Sequence, residues 1–310
     1  MNTAVKQKKI YKVRKKNPYR GQAIAGLLMI LPTFLFLGIF KYFPALNAFY
    51  LSLTKWDGFA DPKFIGLKNF VKLFGDDVFL QSMKNVSVWT IAYCLQCIIP
   101  PLIAAELIFH LKSKKKQYFY RVLLIIPMVV PEIVNQLIWQ LIYDGDIGMV
   151  NQLLRAVGLG GLARDWLGNP HTAMAALICM NFPWIHAFNM LIFYAGLQAI
   201  PGEVLESATM DGLGTFGKIR RMHMPYLVGQ IKIALILAII ACLQNVTAPL
   251  VMTSGGPGYA TYVPALHMYL AAFSNSNFGY ACAMAVVLFV VVMFLTMVSN
   301  KLKSQTDYDA

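Results

Sequence analysis

Six stretches of this 310-residue chain are apolar over lengths that match a lipid bilayer, and that one feature leaves few folds open. A helix needs about 20 predominantly apolar residues to cross the hydrocarbon core. The runs fall at 22–40, within 83–110, and at about 119–143, 172–197, 228–252 and 278–299. Lipid offers no hydrogen-bond partner, so a spanning segment must satisfy its own backbone, as a helix does. Composition agrees: 58% of residues are hydrophobic and 13% charged, against about a quarter charged in soluble domains. The fold class expected is an all-α membrane protein with six transmembrane helices. The first run follows a basic segment, as a signal peptide would, but it is longer than a signal core and no A-x-A site follows it. It reads as a retained span.

Orientation follows from the basic residues. With the N-terminus inside, the cytoplasmic segments collect Lys6, Lys8, Lys9, Lys12, Arg14, Lys15, Lys16 and Arg20, then Lys112, Lys114, Lys115, Lys116 and Arg121. Lys218, Arg220, Arg221, Lys232, Lys301 and Lys303 follow on the same side, which makes most of the 27 Lys and Arg cytoplasmic. The positive-inside rule selects this topology, with both termini in the cytoplasm. The formal net charge of +13 then reads as a topology signal and an anionic-lipid contact, and needs no nucleic acid. Cys94 and Cys97 form C-x-x-C inside an apolar span, where they read as small buried hydrophobes. The five histidines are scattered singly, so no metal site is expected. No cofactor is expected either.

One stretch imitates a nucleotide site. DGLGTFGKI (211–219) spells G-x-G-x-x-G and most of a phosphate loop. A dinucleotide site needs a preceding strand and an acid about 20 residues on; a phosphate loop needs Ser or Thr after its lysine. Here a helical pattern precedes Gly212, no Asp or Glu follows Asp211 until Asp307, and Ile219 follows Lys218. The stretch reads instead as two short amphipathic helices joined at a glycine turn. Pro201 suits a first helical position, Glu203 and Glu206 suit the early turns, Gly212 ends the first helix, and Pro225 closes the second at the membrane. Such a helix either lies on lipid or docks into a partner's groove.

ESATMDGLGTFGKIRRMHMP (206–225) resembles the coupling-loop signature of binding-protein-dependent ABC importer permeases. Glu206, Ala208, Gly212 and Pro225 match at the signature's spacing. Ser207 replaces its middle Ala, and Met222 and Met224 replace Ile and Leu. FIGLKNFVKLF (64–74), GMVNQLL (148–154), NMLIFYAGLQAIP (189–201), TSGGPGYATYV (253–263) and FGYACAMAVVLF (278–289) resemble the sugar-importer branch of that family. The resemblance implies a type I permease fold: a basic cytoplasmic tail at 1–20, a permease domain at 21–300 with its coupling loop at 201–225, and a cytoplasmic tail at 301–310. It implies a cell-membrane subunit that hydrolyses nothing itself. Its partners would be a second permease subunit, two ATPase subunits and an extracellular solute-binding protein. The loop, with Glu206, Ser207, Ala208, Asp211, Gly212 and Pro225, would be what the ATPase grips.

A solute must meet polar groups within the membrane, where such groups are costly and therefore informative. Glu132, Gln136, Trp139 and Gln140 share a helical face with Tyr143. Rings and amides of this kind suit sugar contacts, and they equally suit packing between spans. The resemblance adds Trp184, Phe188, Gln244 and Asn245, on the helices before and after the coupling loop. An ion-driven secondary transporter would carry its working parts in one chain, usually as inverted repeats, and no convincing repeat is present. A permease for a non-sugar solute stays open at this point.

Overall fold

The computed structural model describes residues 20–301. The tails expected at 1–20 and 301–310 lie outside the described residues, apart from Arg20 and Lys301. The chain divides into two units, one ending at Ala48 and one beginning at Phe49. In the first, α1 (Arg20–Leu37) runs on through a π-helical turn, Gly38–Tyr42, to α2 (Phe43–Ser52), whose residues from Phe49 onward are counted in the second.

In the second unit a short antiparallel pair, β1 (Thr54–Lys55) and β2 (Lys63–Phe64), leads to α3 (Lys68–Phe74). The long α4 (Asp77–Phe109) follows, then α5 (Lys114–Ile125) and α6 (Glu132–Ile142). Next come α7 (Met149–Ala156), α8 (Ala173–Cys179), α9 (Ala187–Gln198), α10 (Gly202–Met210) and α11 (Thr215–Lys218). The unit closes with α12 (Met224–Leu243), α13 (Thr247–Thr253), α14 (Pro264–Phe273) and α15 (Phe278–Asn300). Helix α12 packs on α4, α9 and α15, and α4 packs on α9. Gly196 permits α9 to lie close against α12: a Cβ there would meet Leu227 Cδ2 at 2.6 Å.

Four described helices are long and apolar enough to span: Ala25–Ser52, Asp77–Phe109, Thr215–Leu243 and Phe278–Asn300. The other two expected spans are not continuous. The third, Lys114–Val129 with Glu132–Ile142, is bent by 89°. Pro127 and Pro131 each remove a backbone donor, and each restricts the residue before it. The fourth is split between α8 and α9, where Asn181 and Trp184 adopt positive φ, 66° and 57°. The fifth ends at Leu243, short of the expected 252.

Proline does not always break a span here. Helix α4 runs straight through Pro100 and Pro101. Pro101 cannot donate to the carbonyl four residues back, that of Cys97. Buried Asn189 of α9 donates to that carbonyl instead, at 2.8 Å, so the lost bond is replaced across the helix pair. Buried amides also brace the loops. Asn69 donates to the Ser52 and Thr54 carbonyls, both at 2.8 Å. Asn85 donates to those of Tyr259 and Tyr262.

Asp76 caps α4 by accepting from the Val78 and Phe79 N–H groups, and it also accepts from the Tyr280 hydroxyl at 2.6 Å. His267 Nε2 lies 3.2 Å from the same carboxylate. Burial pushes this carboxyl up, but the bonds from Tyr280, Phe79 and His267 outweigh burial and hold it below its ordinary value. A depressed folded-state pKa gives stability that is complete above the unfolded value of about 3.9 and lost as pH falls through the folded one. Asp76→Ala should therefore cost about 1–3 kcal/mol near neutrality. Thermal unfolding of the detergent-solubilised chain should show that gap at pH 6 and a narrower one at pH 3. A gap unchanged between the two would remove the carboxylate from this account.

Candidate functional site

The 201–225 loop carries the first group of candidate residues. Helix α10 begins at Gly202, with Pro201 as its cap and not its first residue. It ends at a Schellman turn: Gly212 N–H donates to the Thr209 carbonyl and Leu213 N–H to that of Ala208, both at 3.0 Å. Such a turn needs a left-handed residue after the cap, and Gly212 has φ +76°. Lys218 Nζ returns to Thr209 Oγ1 at 2.8 Å, placing a cation at the negative end of α10.

Ala208 is buried, whereas Glu206, Ser207, Asp211 and Gly212 are exposed. Ser207, Ala208 and Asp211 line a groove of about 350 Å3 with Glu203, Leu213 and Met222. Glu206 lies outside that groove. Pro225 does not close a helix, as the sequence reading expected. It is the second residue of α12, inside a continuous helix from Thr215 to Leu243. A π-helical turn, Ile219–His223, precedes it. A proline ring clashes with the carbonyl four residues back, and a wider turn relieves that clash. The expected apolar face is only partly covered: Ile219 and Met222 are half-buried, but Phe216 is 76% exposed.

One contact at this loop escaped the sequence reading. His223, 1% exposed, sits with its Nδ1 2.9 and 3.0 Å from the two carboxylate oxygens of Glu106, itself 7% exposed. The partners come from the last turn of α4 and the π turn before α12. A carboxylate within an apolar run, here AAELIF, is itself the signal that could have found the pair.

The second group converges on a cavity of about 240 Å3. Glu132, Gln136, Trp184 and Asn245 line it. Glu132 stands in the first turn of α6, and Gln136 one turn later donates Nε2–H to Glu132 Oε1 at 3.0 Å. Trp184 comes from the break between α8 and α9, its indole N–H donating to the Met180 carbonyl at 3.0 Å. Asn245 lies in the break between α12 and α13, where its Oδ1 accepts from Ala248 N–H at 3.0 Å. Left-handed backbone at residues such as Asn181 and Trp184 costs about 1–3 kcal/mol and gathers at ligand sites.

The remaining candidates are spread out. Trp139 and Phe188 line an adjoining cavity of about 530 Å3, which shares Glu132 and Trp184 with the first. Gln140 faces a third, of about 560 Å3, beside Asp144 and Asp165. Gln244 is exposed at the end of α12 and lines none of these cavities. The reading missed Trp89, Tyr93 and Gln96 of α4, which also line the first cavity. Their spacing, i, i+4 and i+7, places them on one helical face, the same signal used for α6. Gln136 Oε1 and His186 Nε2 are buried and, among the described residues, bond to no protein group. Buried polar atoms are rarely left unpaired, so the cavity is equipped for a polar guest.

The comparisons with known proteins agree with this architecture. The model of the family described as "Binding-protein-dependent transport system inner membrane component" matches residues 99–304. The chain is 31% identical over 279 residues to "Probable ABC transporter permease protein YurN" of Bacillus subtilis, covering 90% of this chain and 95% of that one. It is 32% identical over 291 residues to "Trehalose/maltose transport system permease protein MalF" of Thermococcus litoralis, with 92% and 95% covered. Its fold matches a chain in the crystal structure of a bacterial ABC transporter involved in the import of the acidic polysaccharide alginate. That match has a TM-score of 0.77 at 23% identity and covers 92% of this chain and 98% of the other. Long apolar helices, a polar cavity lined from α4, α6 and the breaks after α8 and α12, a capped loop helix between α9 and α12 and a family match over residues 99–304 lead to one assignment: the chain belongs to the binding-protein-dependent transport system inner membrane components, the multi-pass permease subunits of ABC transporters.

Proposed function

We propose that this chain is one of two different permease subunits of an ATP-driven importer for sugars or oligosaccharides. It forms half of the pathway and couples it to a separate ATPase. The observation that carries this reading is the cavity, in which a carboxylate, free amide and imidazole groups and aromatic faces converge. Hydroxyls suit the first three and pyranose faces suit the rings. The relative named for trehalose and maltose transport supports a sugar cargo. The family's description supports an external solute-binding protein.

Both termini lie in the cytoplasm on this reading, by the positive-inside rule, and the basic segments at that face contact anionic lipid. Residues 21–300 make up the permease domain, between tails at 1–20 and 301–310. The 201–225 loop then faces the cytoplasm and meets the ATPase pair through Glu206, Ser207, Ala208 and Asp211, with Gly212 setting the reversal. Thr215–Leu243 is one helix of 29 residues, about 43 Å long at 1.5 Å per residue. Motion imposed on the loop by closure of the ATPases is carried along it to Asn245, at the cavity. This chain performs no chemistry; it binds, tilts and releases.

Glu206 is the test of the docking. Its loss should remove charge-assisted bonds worth roughly 1.5–3 kcal/mol, about a tenfold to hundredfold weaker grip. Glu206→Ala should reduce co-purification of the ATPase and sugar-stimulated ATP hydrolysis while the permease still inserts, and Glu206→Lys should reduce them further. Full stimulation by Glu206→Lys would make Glu206 an ordinary surface residue. Stimulation only by a non-sugar solute would reject the sugar reading.

A further inference from the structure

We infer that this half of the pathway accepts uncharged carbohydrate and rejects carbohydrate acids, with Glu132 and the Gln136 carbonyl as the discriminating pair. The inference rests on the sugar-importer reading above. Among the described residues, no Lys or Arg lines either the first cavity or the one adjoining it, and Glu132 is the one carboxylate in their walls, standing in both. An anionic guest would thus meet a like charge, and the one ionisable base beside it is the His186 imidazole.

The hydrogen-bonding inventory points the same way. The side-chain donors of Gln96, Asn135, Gln136 and Trp184 each already bond to protein: to the Ile178 carbonyl, Asn181 Oδ1, Glu132 Oε1 and the Met180 carbonyl. Two buried atoms of the wall bond to no protein group among the described residues: Gln136 Oε1, an acceptor on a side chain 1% exposed, and His186 Nε2, which donates or accepts with its tautomer. A carboxylate offers no hydrogen, so it can satisfy neither Gln136 Oε1 nor Glu132. A sugar hydroxyl donates and accepts at once. It can give its proton to either oxygen and still receive one from the Asn181 or Asn245 amide. Trp89, Tyr93 and Trp184 supply rings for the apolar faces of the sugar.

The importer of alginate, an acidic polysaccharide, shares this fold. Cargo charge is therefore set by the lining and not by the architecture.

Equilibrium dialysis against the assembled complex in nanodiscs, without the solute-binding protein, isolates this site from that protein's own selectivity. The neutral probes are maltotriose, trehalose and diacetylchitobiose. The acidic probes are trigalacturonate and an alginate trisaccharide. At least one neutral probe should bind the wild type, with both acids on the order of a hundredfold weaker. Glu132→Gln should weaken neutral binding, which loses a charged acceptor, and strengthen acid binding, so that the gap between them narrows, and Glu132→Lys should narrow it further. Wild-type binding of an acid as tight as that of the best neutral probe would overturn the inference while leaving the sugar reading intact. So would an unchanged acid-to-neutral ratio in both variants. Binding of none of the five probes would overturn the sugar reading itself, and the inference with it.

Discussion

Gly212→Val should yield a permease that inserts and folds but imports its solute five- to a hundredfold more slowly than wild type. Among the described residues nothing lies within 4 Å of where a Cβ would stand at Gly212, so the substitution meets no neighbour there. The strain is in the backbone alone. At φ +76° a β-branched residue costs about 1–3 kcal/mol, which corresponds to that range. The chain escapes the strain by unwinding the last turn of α10, and the loop then leaves α10 in another direction. Two further variants separate strain from size. Gly212→Asn should be mild, since Asn tolerates left-handed backbone, and Gly212→Ala should fall between. The measurement is solute uptake in proteoliposomes beside solute-stimulated ATP hydrolysis. Wild-type rates for Gly212→Val, or equal loss in Asn and Val, would sink the argument.

Glu106→Ala should cost about 3 kcal/mol of stability, because it strands His223 at 1% exposure without its partner. Breaking one side of a buried polar pair is far more costly than replacing both sides with apolar groups. The double variant Glu106→Leu with His223→Leu should accordingly recover most of the loss. Glu106→Gln, which can still accept from the ring, should cost less than Glu106→Ala. Thermal unfolding of the solubilised protein across the double-mutant cycle reads the coupling directly. If the two single changes simply add in the double variant, the pair contributes nothing as a pair.

The contrast between what could and could not be read in advance follows the range of each interaction. Lengths of apolar runs are local, so α4 and α15 were legible, while the run at 228–252 located the fifth span but neither its start at Thr215 nor its end at Leu243. The face joining Glu132 to Gln136 was legible because helical spacing is local too. Prolines were ambiguous: Pro101 sits inside an unbroken helix and Pro131 at an 89° bend. The difference lies in whether a side chain such as Asn189, 92 residues further on, reaches the freed carbonyl. Glu106 and His223 are 117 residues apart, and no period links them. Phe188 and Gln244 were placed by counting along motifs. Trp184 and Asn245, placed the same way, stand in the breaks before α9 and after α12 and line the first cavity, whereas Phe188 and Gln244 lie outside its lining.

The π turn at Ile219–His223 has a consequence for angular phase. An α-helix advances 100° per residue, and a π turn hides one residue from that count. Deleting a single residue there would leave a continuous α-helix with its N-terminal side in nearly its present phase, whereas deleting one from the regular turns of α12 would rotate everything on the N-terminal side by about 100°. Lys218, Gly212 and the whole of α10 would swing around the helix axis together. Substitutions change none of this. The heading at which α10 leaves the membrane helix is thus stored as a residue count in α12, and the π turn is the one place along this helix where a single-residue gap would leave that heading nearly unchanged.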